Sequence, residues 1–184
     1  MRSIGRIAIT MGMTMAMLWG MLFFPQKNAL AYEISSRYAA IIYNDQAALK
    51  KFNRSLYMGR LSSQVPKTGQ ETLEDEVAAK INFIVEKTMA VLDMFPPNLQ
   101  FSIVIHPDPG HVQQDFKKLY QVDVNYIAFY APAENQVFFS ADNARLRVVA
   151  HEIGHVVVEN YFIISPPQHL HEVLAQYSET HITD

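Results

Sequence analysis

The chain has 184 residues, a formal net charge of −3 and no cysteine. That balance argues against nucleic acid as a partner, because such binding needs a basic stripe. The missing thiols exclude a disulfide-stapled fold and any thiolate in a metal site.

Met1–Ala31 reads as a signal peptide outside the fold. Arg2 and Arg6 form a basic start, Ile7–Phe24 is an apolar run without charge, and Ala29-Leu30-Ala31 is a small-residue cleavage site. The run approaches the length of a spanning helix, so the alternative is a retained anchor. The cleavage site favours removal, a mature domain over residues 32–184 and no stable membrane insertion. Arg2, Arg6 and Lys27 leave with the leader and no acid does, so the mature chain is more acidic than the whole. Export without disulfides fits a bacterial cell envelope, periplasmic or extracellular. What remains is long enough for one domain with a real core.

Tyr38–Tyr43 is aromatic and β-branched, a strand signal. Asn44 or Asp45 then caps a helix with Leu49, Phe52 and Leu56 on one face. Leu61–Gly69 reads as a polar linker. Glu71–Phe95 is predicted as the longest helix, from apolar residues at helical spacing between Leu73 and Leu92, with Pro96-Pro97 ending it. Its acidic start (Glu71, Glu74, Asp75, Glu76) reads as a solvated helix terminus favoured by the dipole. Phe101–Ile105 is a strand. Asp108-Pro109 then starts a helix whose buried side is Val112, Phe116 and Leu119. His106 and His111 lack a helical partner histidine and read as surface or capping residues. Tyr126–Ala131 and Gln136–Ser140 form a hairpin around Pro132–Asn135.

Ala144–Tyr161 reads as a helix and contains His151-Glu152-Ile153-Gly154-His155. Positions i and i+4 share a helix face, so both imidazoles can address one ion. Two imidazoles suit zinc, and Glu152 can reach a water on it. Gly154 costs about 1 kcal/mol against alanine in a helix, which predicts close approach of a neighbouring element. A second helix follows, capped by Ser165 and Gln168 with Pro166 at its first position. Glu172 lies in its second turn, with the small Ala175 one turn on, and is the candidate third ligand. Glu159 is the rival. Residues i, i+4 and i+8 of one straight helix cannot converge on an ion, because the outer two lie about 12 Å apart along the axis. The metzincin pattern is absent: Val158 stands where its glycine would be and Tyr161 where its third histidine would be.

His-Glu-Ile-Gly-His, a short loop and Glu-Val-Leu-Ala-Gln-Tyr resemble the gluzincin branch of zinc metallopeptidases, the thermolysin-like group, and most closely its small peptidase-MA-like and minigluzincin members. The resemblance implies a zincin-like domain with His151, His155 and Glu172 as zinc ligands and Glu152 as general base. It also implies that the edge strand Ile127–Tyr130 grips an extended peptide or protein substrate. The spacing from His155 to Glu172 is a little shorter than in thermolysin, which makes Phe162–Gln168 a tight loop. The element order indicates one α+β domain with a small mixed sheet, an active-site helix and a following glutamate-bearing helix.

The expected function is zinc-dependent peptide hydrolysis. The alternative is a non-catalytic, zinc-stabilised cell-envelope module that binds protein, against which Glu152 counts, since a structural site needs no base. His169, His171, Tyr177 and His181 are candidates to steady the oxyanion. The tail Glu179–Asp184 is expected close to the cleft mouth, where it restrains access.

Overall fold

Period-two alternation in the strands sorts side chains onto two faces. Ile41, Ile103, Ile105, Val137 and Phe139 enter one core, whereas Val104, Phe129, Ala131 and Phe138 enter a second, smaller one. The structure is a computed structural model describing residues 31–67 and 72–184. Residues 1–30 of the predicted leader and Glu71 lie outside that range. No helix among the described residues is long and apolar enough to cross a membrane.

The strands are β1 (Tyr32–Ser35), β2 (Ala39–Tyr43), β3 (Phe101–His106), β4 (Ala128–Ala131) and β5 (Gln136–Ser140). They form one mixed sheet in the order β1-β2-β3-β5-β4. β2, β3 and β5 run parallel, and β1 and β4 are antiparallel edges. The helices are α1 (Gln46–Ser55), α2 (Leu73–Leu92), α3 (Pro109–Tyr120), α4 (Leu146–Tyr161) and α5 (Gln168–His181). The larger core joins one sheet face to α1, α2 and α4, and α3 closes the other face through Val112 and Phe116. The expected α+β domain with a small mixed sheet is what the chain forms.

Several local expectations need correction. β1 was not anticipated; it is short and largely exposed, and exists through pairing with β2. α2 is shorter than Glu71–Phe95. Thr72 and Asp75 cap each other at its start, and Asp93, at φ 52°, turns the chain left-handed at its end. Phe95 is therefore exposed. Leu119 is exposed too, because the apolar contact of α3 with the sheet runs through Val112 and Phe116. The start of the expected polar linker Leu61–Gly69 belongs instead to a short 3-10 turn, Gly59–Ser63, that buries Leu61. His106 is buried rather than on the surface, with Nε2 at 2.8 Å from Asp115. His111 does sit at a helix start, with its ring against the capping Asp108.

α5 begins without the expected capping box. Its N-cap is Pro167, and Ser165 Oγ instead donates to Glu159 at 2.7 Å. The tail Glu179–Asp184 departs from expectation in part: Glu179 does reach His151 at 3.1 Å, but the residues after it are held elsewhere. Ile182 is fully buried in the main core, and Lys87 Nζ donates to the Asp184 carbonyl at 2.6 Å. The terminus is thus tied to α2, and no residue beyond Glu172 lines the cleft described below.

Candidate metal centre

Two helices in unusually close contact build the site. A Cβ on Gly154 would lie 3.0 Å from Ala175 Cα and 2.6 Å from Ser178 Oγ. Ser178 Oγ–H donates across the interface to the Ala150 carbonyl at 2.8 Å. The glycine in α4 and the alanine in α5 therefore serve one purpose: they bring Glu172 within reach of the two histidines. Gly154→Ala tests this. Helix propensity alone favours alanine by about 1 kcal/mol. Overpacking costs about 1–3 kcal/mol, and a backbone atom at 3.0 Å cannot rotate away. The variant is expected to melt below wild type and to bind metal more weakly; a higher melting temperature would contradict the packing argument.

His151 Nε2 and His155 Nε2 lie 3.2 Å apart with their rings nearly perpendicular. Glu172 Oε2 is 3.8 Å from the first nitrogen and Oε1 is 3.7 Å from the second. Donors held at about 2.1 Å by a tetrahedral ion are separated by about 3.4 Å. The three residues therefore form a group that can hold a metal ion, one donor from each lying within 4.8 Å of the others. Burial, then the neighbouring His151, lower the His155 pKa to about 4. The ring stays neutral and keeps a lone pair for an ion.

Two residues that sequence reasoning missed hold these donors in place. Glu179 Oε2 lies 3.1 Å from His151 Nδ1. A proton on Nδ1 satisfies that contact and leaves Nε2 as the free donor, the usual arrangement behind a ligating imidazole. Glu179 is two turns beyond Glu172 on α5, so its face was readable from the sequence; its partner was not, because that depends on how α5 crosses α4. Gln168 Nε2 donates to Glu172 Oε1 at 3.0 Å, fixing the carboxylate from one turn away. Glu179→Gln is expected to weaken metal affinity about 10–100-fold, read by competition with a chromogenic chelator; unchanged affinity would remove Glu179 from the site.

Glu152 is buried, close to the backbone of Tyr130 in β4. Burial first, then the carboxylates of Glu172 and Glu179, raise its pKa to about 8, while the nearby Tyr130 backbone opposes the rise. A bound cation would oppose it further. The rival Glu159 is engaged elsewhere: its Oε2 is 3.0 Å from His171 Nε2 and accepts from Ser165. Of the four oxyanion candidates, only the buried His171 lines the cleft. His169 does not, and Tyr177 stacks on His181 outside it.

The cleft has a volume of about 610 Å³ and runs past β4, with His151, Glu152, His155, His171 and Glu172 on one wall. Comparison with family models, with curated proteins and with solved structures gave no match.

Proposed function

We propose that this protein is an exported zinc metallopeptidase of the gluzincin kind, acting on peptides or proteins outside the cytoplasm. The observation that carries the reading is a buried carboxylate, Glu152, placed between three convergent metal donors and the free edge of a sheet. The donor set of two imidazoles and one carboxylate suits zinc at a catalytic centre, where one position stays open. Zinc, when bound, lowers the pKa of a water and polarises a carbonyl. Glu152 takes the proton of the attacking water and returns it to the leaving amine. Glu152 and Tyr130 of β4 line the same cleft, and an extended chain can lie beside that strand. His155 stays neutral, Glu179 holds the His151 ring, and Glu172 supplies the anion that offsets the 2+ charge. A binding module has no use for a buried base at that point, which favours turnover over the non-catalytic alternative. The leader and the absence of cysteine support a place in the cell envelope.

The test is peptide-library cleavage by the mature chain with zinc, with chelator, and with zinc restored. Cleavage that stops with chelator and returns with zinc supports the proposal. No cleavage, or cleavage indifferent to chelator, defeats it.

A further inference from the structure

The cleft does not end at the metal donors. It crosses the free edge of β4, and on the far side its lining is aromatic: Phe116, Tyr120, Tyr126 and Phe129. Phe116 is the centre of this group. Its ring lies 4.7 Å from Tyr120, 5.1 Å from Tyr126 and 5.0 Å from Phe129, the last two edge-on. Phe129 is buried and stacks on Phe138 at 4.5 Å, so the wall rests on the sheet. Tyr120 and Tyr126 remain 40% and 48% exposed.

The backbone of β4 explains why both walls matter to one ligand. The Ile127 carbonyl accepts from Ser140 N–H at 2.9 Å. In an antiparallel pair, bonding alternates along the strand. Phe129 and Ala131 therefore turn their backbones toward β5, and Ala128 and Tyr130 turn theirs outward. A segment added along that edge bonds to Ala128 and Tyr130. Its side chains then alternate between the α4–α5 side, with the donors, and the α3 side, with the rings.

The geometry points to a specificity subsite on the α3 side of the sheet, in which Phe116, Tyr120 and Tyr126 receive an aromatic or bulky apolar side chain of an extended peptide. That side chain sits at one fixed position relative to the bond beside the metal donors. The subsite rests on the peptidase reading for its substrate, but its recognition step is separable from turnover. Ring-on-ring contact with edge-to-face geometry selects aromatic groups over small ones.

The experiment uses the full mature chain carrying Glu152→Gln and loaded with zinc. It measures binding of an alanine-based peptide carrying phenylalanine at each position in turn. One position is expected to bind about tenfold more tightly than the all-alanine peptide. Tyr120→Ala with Tyr126→Ala should abolish that gain without changing zinc content, and the two Tyr→Phe changes should preserve it. Both tyrosines are exposed, so truncation spares the core. A gain at no position, or one that survives the double alanine change, overturns the subsite. Unselective cleavage by the otherwise wild-type chain overturns it while leaving the peptidase standing. Selective binding without cleavage by wild type leaves the subsite standing and defeats the peptidase.

Discussion

Glu152→Gln is expected to cut peptide turnover by about 10²–10⁴, the usual share of a general base, with zinc content and Tm near those of wild type. Glutamine has the same size and a polar end of the same shape, so the packing around the buried group survives. It cannot take a proton, so the step that activates water loses its acceptor. In the metal-free protein the pKa near 8 means that the wild-type carboxyl is mostly neutral at pH 7. Glutamine therefore replaces a neutral group by a neutral group, and folding should barely register the change. Turnover and zinc content measured on the same preparations decide the matter. Wild-type turnover in the variant would take the base role from Glu152; loss of zinc would mean that it touches the ion.

Glu172→Ala should fail in the opposite way. It removes one of three protein donors and the only anion among them, so zinc affinity should fall steeply and turnover with it. The side chain is 45% exposed, so its removal leaves no core cavity. The metal-free Tm should stay near wild type, while the rise in Tm on adding zinc should disappear. Calorimetry with and without zinc reads both. If the zinc-dependent rise persists, Glu172 is not a ligand. Glu159 and His171, held together at 3.0 Å, would then have to separate to replace it.

Much of this site was legible because helical spacing is a strong constraint. His151 and His155 had to share a face, Glu159 could not join them, and a glycine inside an apolar helix asked for a close neighbour, which Ala175 and Ser178 provide. The hairpin before α4 was legible from two β-rich runs around a turn, in which Asn135 adopts φ 48°. What stayed hidden depends on partners distant in sequence. β1 has little burial of its own and needs β2. Ser165 has the chemistry of a cap, but Glu159 claims its hydroxyl. Ile182 is buried because α5 lies against α2, so the tail beyond Glu179 is anchored rather than placed over the cleft. The aromatic wall was split between α3, the segment at Tyr126 and β4, and only the packing of α3 on the sheet brings its parts to one edge.

The central claim is that His151, His155 and Glu172 hold one zinc ion between α4 and α5. It is tested most directly by zinc stoichiometry of the extensively dialysed mature chain, measured beside Glu172→Ala. The account predicts one zinc per wild-type chain and almost none in the variant. A wild-type chain that retains no zinc, or a variant that retains as much, would contradict it.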